Sequence, residues 1–387
     1  MAKLGECFSV IRNGASIRQT DGAGGFPITR IETIADKTIN REKFGYAGIY
    51  DLAQYRDYIL QDGDILMSHI NSEKHLGKVA LYSKQDDEQI IHGMNLLMLR
   101  ADTQKVIPEY AKYYFESQKF LRQIGRITKK SVNQASFTVT ALKELEIPLA
   151  SIIVQRDISK KLKKVDWLVS LRKQQLAKLD ELVKARFVEM FGESEYPCNS
   201  LISLIIEGAG LSYGIVQPGD DGTGDMGVLR PVDFADGKIK TDNIKYIDRS
   251  LGNGFKKTEL NGNELLITVR GTTGITALTD SRFKGMNVTR GIAVIRYDKK
   301  KVDPIYLNEY IKMEKSQQYI KEHTRGATLQ QINLSELRDL EVVIPPLPLQ
   351  RVFATFVECV DQQKQTVQQG LEKLELMKKA LMQEYFG

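Results

Sequence analysis

Two kinds of polar loop recur in this 387-residue chain and carry side chains that could recognise a polynucleotide. The first kind directly follows an apolar run, at residues 68–75 and again at 270–273. The second kind lies further along, at 126–134 and 324–331. Arg, Lys, Asn and Gln side chains address base edges in the major groove, whereas Lys, Ser, Thr and backbone amides hold phosphates. The loops therefore predict a nucleic-acid contact surface in each half of the chain.

The residues that we predict to contact DNA come from these loops and from a few polar positions elsewhere. In the first half they are Arg30, Ser68, His69, Asn71, Lys74, Arg126, Lys129, Lys130, Asn133 and Gln134. In the second half they are Ser212, Tyr213, Arg230, Arg270, Thr272, Thr273, Arg325, Thr328 and Gln330. One polar loop alone is weak evidence, because surface loops are generally polar. The recurrence at matching places favours a contact surface, and the differing side chains favour two different target sequences.

The sequence contains no motif that predicts catalysis by this chain. It lacks a P-loop, an HExxH motif and the Asn/Asp-Pro-Pro-aromatic tetrapeptide typical of DNA methyltransferases. A GxGxxG pattern at 222–227 precedes a strand-like run, whereas a dinucleotide site needs the glycines to open a helix. The three cysteines, Cys7, Cys198 and Cys359, have no CxxC spacing, so we expect them to be reduced and mostly packed in cores. We expect no catalytic residue, no metal ligand and no cofactor on this chain.

Composition and length set the broad class. Apolar residues make up 42% and charged residues 27% of the chain, which is ordinary for a globular protein. No stretch approaches the roughly 18 apolar residues of a membrane span, and the first residues lack the apolar core of a signal peptide. We therefore expect a cytoplasmic protein with no membrane partner, and a length that suits two domains.

An internal duplication organises the chain. Residues 155–192 match residues 350–387 at a constant offset of 195, each stretch beginning with Gln-Arg and ending with Phe-Gly. A second match joins Asp21–Gly24 to Asp221–Gly224 at an offset of 200. The predicted fold is α+β: two similar mixed α/β domains separated by two long helices, with internal pseudo-two-fold symmetry. The predicted segments are a first domain at 1–150, a central helix at 151–192, a second domain at 193–346 and a C-terminal helix at 347–387.

Apolar runs predict matching strands in the two domains. The runs are Ile65–Met67, Val79–Tyr82, Asn95–Leu99, Leu265–Val269, Gly274–Leu278 and Ile292–Ile295. Helical patterns follow at Glu109–Leu121 and Ile305–Ile320, introduced by Pro108 and Pro304 at first-turn positions.

The two duplicated stretches carry heptads, which predict a helix–helix seam. The apolar seam residues are Leu162, Val165, Val169, Leu176, Leu179, Val183, Val357, Val360, Val367, Leu371, Leu374 and Leu381. One seam cannot bury itself, so we expect the helices, each about 50 Å long, to pair as an antiparallel coiled coil. Domains held apart in this way would recognise half-sites about one DNA turn apart, with a non-specific gap of roughly 5–8 bp. Residues 156–190 hold ten Lys or Arg against five Asp or Glu, a charge that suits either a solvated face or a phosphate backbone.

The duplicated plan resembles the specificity subunits of type I restriction–modification enzymes. The resemblance covers essentially the whole chain. It rests on the Gly63-Asp64-Ile65-Leu66 run and its counterpart, on the Leu145–Pro148 and Leu340–Pro348 runs before Gln-Arg, and on the long helices ending in Phe-Gly. The second copy departs mildly, with Asn263-Glu264 in place of Gly-Asp.

The resemblance implies a function that the residues alone do not establish. Each domain would be a target recognition domain for one half of a bipartite double-stranded DNA site. The helices would dock two modification (methyltransferase) subunits, with restriction/translocase subunits in the larger complex. S-adenosylmethionine and ATP would then bind those partners. Two alternatives stay open: a stand-alone DNA-binding regulator with a coiled-coil oligomerisation device, and a nuclease with a dispersed acidic site.

Overall fold

A computed structural model describes residues 1–20, 22–34, 37–131, 134–192, 195–216, 224–235, 237–326 and 329–387. It divides into two compact units. Unit 1 comprises Met1–Gln174 with Gln368–Gly387, and unit 2 comprises Gln175–Val367. Each unit therefore contains one copy of the duplicated domain and part of both long helices. The four segments predicted from the sequence divide the chain along its length and remain a prediction.

Unit 1 begins with short strands and ends in the first long helix. Its strands are β1 (Ala2–Lys3), β2 (Phe8–Asn13), β3 (Ile65–Ser68), β4 (Ile70–Asn71), β5 (Val79–Leu81), β6 (Leu96–Ala101), β7 (Lys129–Lys130), β8 (Ala135–Ser136) and β9 (Glu146–Ile147). Its helices are α1 (Leu4–Cys7), α2 (Pro108–Phe115), α3 (Gln118–Ile127), α4 (Val139–Lys143) and α5 (Ile152–Phe191), the last of which continues into unit 2.

A four-stranded antiparallel sheet in the order β2-β6-β3-β5 forms the centre of unit 1. Ile65 and Met67 on β3 face one core with Leu97 and Leu99, whereas Leu66 belongs to a second core. Both faces of β3 are thus covered, which explains why the Ile65–Met67 run is apolar without alternation. The strands predicted at Ile65–Met67, Val79–Tyr82 and Asn95–Leu99 are confirmed, each within one or two residues.

Unit 2 repeats this plan. Its strands are β10 (Cys198–Ser200), β11 (Met226–Leu229), β12 (Phe234–Ala235), β13 (Lys238–Ile239), β14 (Lys245–Ile247), β15 (Leu265–Thr268), β16 (Thr276–Leu278), β17 (Asn287–Val288), β18 (Ile292–Ile295) and β19 (Glu341–Val343). Its helices are α6 (Pro304–Lys312), α7 (Glu314–Glu322), α8 (Leu334–Arg338) and α9 (Leu347–Phe386), whose end belongs to unit 1.

The central sheet of unit 2 has the order β16-β15-β18, which matches β5-β3-β6 of unit 1. The predicted strands at Leu265–Val269, Gly274–Leu278 and Ile292–Ile295 are confirmed. Gly227 of the GxGxxG pattern lies within β11, which is followed by a 3-10 turn, whereas Gly222 lies outside the described residues.

The helical pattern of each copy forms two helices where the sequence predicted one. In unit 1 the chain turns at Ser117, whose side chain accepts a hydrogen bond from the Phe120 amide and caps α3. In unit 2 Met313 is extended between α6 and α7. The first-turn positions of Pro108 and Pro304 are as expected.

The two long helices are antiparallel, as the start of each lies beside the end of the other. In unit 1 Lys173 approaches Glu375 at 3.7 Å, and Lys378 approaches Asp166 at 2.5 Å. In unit 2 Lys364 lies 2.7 Å from Asp180. The predicted apolar seam residues are buried or half-buried. Two lysines that interrupt the α9 seam, Lys364 and Lys378, form ion pairs with aspartates of α5. Each helix has 40 residues, about 60 Å, which exceeds the predicted length because the first turns start before the heptads.

The Gln of each Gln-Arg pair is a buried clamp at the start of a long helix. Gln155 accepts a hydrogen bond from the Ile107 amide (2.9 Å) and donates to the carbonyls of Lys105 and Ala150 (2.9 Å each). Gln350 accepts from the Asp303 amide at 2.8 Å and donates to the Pro345 carbonyl at 2.7 Å. The motif therefore fixes the helix start to the segment that precedes α2 or α6.

The Phe of each Phe-Gly pair is an aromatic anchor. Phe386 packs on Tyr110 at a centroid distance of 5.2 Å in unit 1. Phe191 packs on Tyr306 at 5.1 Å in unit 2. The ends of the duplicated helices thus contact equivalent tyrosines on α2 and α6, which accounts for the recurrence of the motif.

The cysteines are free, but the expectation that they are mostly packed is wrong. Cys7 is buried, whereas Cys198 on edge strand β10 and Cys359 on the outer face of α9 are exposed. Among the described residues, no helix is long and apolar enough to cross a membrane.

Candidate nucleic-acid interface

The two predicted loops of unit 1 are joined into a small antiparallel ribbon. Strand β8 pairs with β4 on one side and with β7 on the other. Ser136 lies opposite both Ile70 and Lys129, and the Phe137 amide donates to the His69 carbonyl at 3.2 Å. We call residues 70–71, 129–130 and 135–136 the first ribbon. It brings the loop after β3 and the loop after α3 into contact.

Unit 2 builds the same ribbon with shorter pairing. Gln331 forms antiparallel bridges with Arg270 on one side and Arg325 on the other. The Ile332 amide donates to the Val269 carbonyl at 3.0 Å, and the Gly271 amide donates to the Gln330 carbonyl at 2.8 Å. We call residues 270–271, 325 and 330–331 the second ribbon.

The hydrogen bonds define which residues of the two ribbons are equivalent. The bond from Phe137 to His69 corresponds to the bond from Ile332 to Val269. Ile70, Ser136 and Lys129 of the first ribbon therefore correspond to Arg270, Gln331 and Arg325 of the second. Side chains of directly opposed residues lie on one face of a sheet, so each triplet shares a face.

The exposed members of the first ribbon are two lysines. Lys129 and Lys130 are exposed on β7, and Lys130 forms an ion pair of 2.8 Å with Glu73 of the other loop. Asn71 is half-buried and accepts a hydrogen bond from the Ser72 amide. Lys74, Arg126 and Gln134 are exposed nearby along the same loops. The region offers positive charge and donors for phosphates and bases.

Ser68 and His69 differ from these residues because they are buried. The Ser68 hydroxyl and His69 Nδ1 have no hydrogen-bond partner within the described part of the chain. Burial lowers the pKa of His69 to about 4, and its ring packs edge-on against Phe137. His69 is therefore neutral at pH 7, and its burial gives no support to the predicted DNA contact.

The second ribbon presents two arginines. The Arg325 side chain is 77% exposed and lies 3.6 Å from Glu336. Arg270 is half-buried, and its Nε has no hydrogen-bond partner among the residues that the structure describes. Thr273 shares a hydrogen bond of 3.0 Å with Thr324, which ties the two loops together, while Thr272 and Gln330 are exposed.

The remaining predicted contacts lie outside the ribbons. Arg30 is half-buried and bonded to Gln19. Arg230 precedes a 3-10 turn, where its backbone amide donates to Asp233 and its guanidinium forms an ion pair of 3.0 Å with the same carboxylate. Ser212 is half-buried, and Tyr213 is exposed and bridges to Ala293 beside β18. The contacts of Arg30 with Gln19 and of Arg230 with Asp233 give these two arginines a structural role. Asn133 and Thr328 lie outside the described residues.

Sequence reasoning missed three residues of the ribbons, Ile70, Ser136 and Gln331, and one residue beside the second ribbon, Arg290. Ile70 and Ser136 were passed over because one is apolar and the other lies outside the predicted loop. Gln330 is exposed and Gln331 is half-buried, and only the cross-strand register shows that Gln331 shares a face with Arg270 and Arg325. Arg290 is exposed just before Gly291, whose carbonyl accepts from the Val269 amide next to Arg270. A cross-strand register was the missing signal.

The Asp of the Gly-Asp-Ile-Leu run has a structural role. Asp64 is buried, accepts hydrogen bonds from Arg100 at 2.8 and 2.7 Å, and accepts from the Gln61 amide. Glu264 at the same place in unit 2 accepts from three backbone amides, those of Asn261, Gly262 and Asn263. Each carboxylate thus fixes the turn into the strand that leads to its ribbon.

Comparison with known proteins gives a consistent family match. The family model described as the type I restriction modification DNA specificity domain matches residues 1–181 and 224–376. The MjaX specificity subunit assigned to a type I restriction enzyme of Methanocaldococcus jannaschii is 32% identical, over 98% of this chain and 91% of that protein. The EcoBI specificity subunit of Escherichia coli is 24% identical over 38% of this chain and 31% of its own length.

Solved structures show the same fold. The S subunit of a type I restriction–modification system from M. genitalium is similar with a TM-score of 0.57 and 13% identity, covering 100% of this chain and 95% of that one. A chain from a type I R-M system studied for complex assembly gives a TM-score of 0.58 and 16% identity, covering 100% and 96%.

Proposed function

The chain belongs to the type I restriction–modification DNA specificity family, and we propose that it recognises a bipartite double-stranded DNA site, one half with each unit. One observation carries the proposal. Both units join their two polar loops in the same register and present basic and amide side chains there. Arg, Lys and Gln on a β-ribbon can reach base edges and phosphates in the major groove.

Modification subunits are the partners that this function requires, and exposed apolar side chains on the long helices supply docking area. Trp167 is 57% exposed on α5, and Leu376 is 66% exposed on α9. Val154 and Leu349 occupy equivalent first-turn positions of the two helices, and both are exposed. Large apolar side chains that remain exposed on a folded chain favour a protein partner. Two equivalent helix starts favour two copies of that partner.

Catalysis is proposed to lie on those partners. The modification subunits would bind S-adenosylmethionine, and restriction/translocase subunits would use ATP, while this chain supplies the sequence specificity. The chain itself then only binds DNA and its partner subunits, without covalent chemistry, and it does so in the cytoplasm, where the DNA is.

The experiment is to purify the chain alone and together with its modification subunits, and to map methylated positions in randomised DNA. We expect one bipartite sequence with a fixed gap from the complex. Tight sequence-specific binding by the isolated chain with no methylation by the complex would instead favour a stand-alone regulator. Metal-dependent cleavage by the isolated chain would favour a nuclease.

A further inference from the structure

The two ribbons differ at equivalent positions in a way that predicts which bases they recognise. Resting on the proposed function, we infer that Arg270 and Gln331 of the second ribbon recognise guanine and a neighbouring adenine. We infer further that Ile70 of the first ribbon contacts thymine at the equivalent place of the other half-site.

The pairing places Arg270 and Gln331 side by side on one face. The residues flanking them, Gly271 with Gln330 and Val269 with Ile332, exchange the backbone hydrogen bonds. Arg270 and Gln331 are therefore a non-hydrogen-bonded pair, with Cα atoms about 4.5 Å apart. Base pairs repeat every 3.4 Å along DNA. Two side chains at this spacing match two adjacent base pairs.

Arg325 lies on the other side of Gln331 on the same face. The Arg325 and Gln331 backbones exchange two hydrogen bonds of 2.8 Å, so this is the wider type of pair, with Cα atoms about 5.5 Å apart. Gln331 is thus flanked by two arginines, and the alternation of side chains along a strand directs Gln330 to the opposite face. The face that carries Gln331 is the face with the greater capacity for base contacts.

Arg270 has an unused donor. Its Nε is buried without a hydrogen-bond partner in the described ranges, although the residue is only half-buried. A buried donor without an acceptor is unfavourable, so turning the guanidinium outward to pair with a DNA acceptor relieves this cost. Guanine presents two acceptors, O6 and N7, in the geometry of a guanidinium, and adenine presents the N6 donor and N7 acceptor that match a Gln amide.

The first ribbon has different chemistry at the same places. Ile70 replaces Arg270, Ser136 replaces Gln331, and Lys129 replaces Arg325. The opposite face of this ribbon carries Ala135, which is buried in the core, so Ile70, Ser136 and Lys129 lie on the outer face. A half-exposed isoleucine suits the 5-methyl group of thymine, the apolar feature of the major groove. Lys129 supplies a charge for guanine or for the adjacent phosphate.

The test uses the full chain in complex with its modification subunits and a DNA library randomised in both half-sites. The methylated molecules are sequenced. For Arg270→Ile, which copies the first ribbon, the preference for guanine at one position should fall by roughly 5- to 150-fold, with the other half-site unchanged. Ile70→Arg should replace thymine by guanine at one position of that other half-site.

Two further variants keep the result decisive. Gln331→Leu changes no charge and should remove the adenine preference next to the guanine. This variant tests the assignment independently if Arg270→Ile does not fold. Arg282→Ile is the matched control. Arg282 lies just after β16, at the end of the sheet where β15 begins, whereas Arg270 lies at the opposite end, where β15 ends. It should leave every base preference intact.

The outcomes separate the inference from the proposed function. Unchanged base preferences in Arg270→Ile and Gln331→Leu would overturn the assignment of bases while leaving the bipartite site in place. An equal loss of methylation on all sequences would make these residues phosphate contacts and also overturn it. A wild-type complex that methylates no defined bipartite sequence would overturn the proposed function itself.

Discussion

Replacing Gln155 with alanine should detach the start of α5 from unit 1. The change removes three hydrogen bonds, from the Ile107 amide and to the carbonyls of Lys105 and Ala150. At about 1 kcal/mol net for each bond, the unfolding free energy of unit 1 should fall by about 3 kcal/mol. Gln350→Ala removes two bonds and should cost unit 2 about 2 kcal/mol.

Amide hydrogen exchange measures this effect locally, and thermal unfolding measures it globally. In Gln155→Ala the Ile107 amide should exchange up to roughly 100-fold faster, with the Asp303 amide unchanged, and Gln350→Ala should show the reverse. Arg156→Ala is the matched control, since Arg156 is exposed beside Gln155, and it should change neither amide. Unaltered exchange at the Ile107 amide in a folded Gln155→Ala protein would show that Gln155 does not hold the start of α5 in place.

Three further outcomes are expected. The pKa of His69 is about 4 in the folded chain against an ordinary 6.5, so the unfolded state alone binds a proton as the pH falls from 6.5 to 4. His69 should cost unit 1 up to about 3 kcal/mol in that window, and His69→Phe should remove that share in unfolding measured at each pH, while the buried His92, whose pKa is lowered to about 3, keeps a loss of its own. Asp64→Ala leaves the half-buried Arg100 without its carboxylate and should cost about 3–5 kcal/mol by denaturant unfolding, whereas a loss below 1 kcal/mol would contradict the turn-fixing role. Inserting four residues near Gln174 and four near Gln369 lengthens each helix by about 6 Å, which should widen the methylated gap by one or two base pairs; an active enzyme with an unchanged gap would show that helix length does not set the spacing.

Local sequence patterns were sufficient for the strands and for the duplication. Runs such as Ile292–Ile295 are buried on both faces, so their apolar character follows directly from the fold. The heptads of α5 and α9 likewise predict an antiparallel pair, because each seam needs a partner. The break at Ser117 was missed because a serine inside a helical pattern is as compatible with a solvated face as with a cap.

The ribbons could not be predicted in detail because they depend on pairing between distant residues. Arg270 and Gln331 are neighbours through a cross-strand register that no local pattern encodes. For the same reason the sequence does not single out Gln331, and it does not reveal that Ser68 and His69 are buried, His69 against the ring of Phe137.

A methylation map from a chimera tests most directly whether each unit recognises one half-site. Residues 1–150 are exchanged for the equivalent segment of a relative with a different target, and residues 151–387 are kept. DNA from cells that carry the chimera and the modification subunits is then sequenced for methylated positions. We predict that one half-site changes to that of the relative, while the other half-site and the gap stay as in the parent. A chimera that methylates DNA with both half-sites changed, or with neither changed, would contradict the assignment of one half-site to each unit.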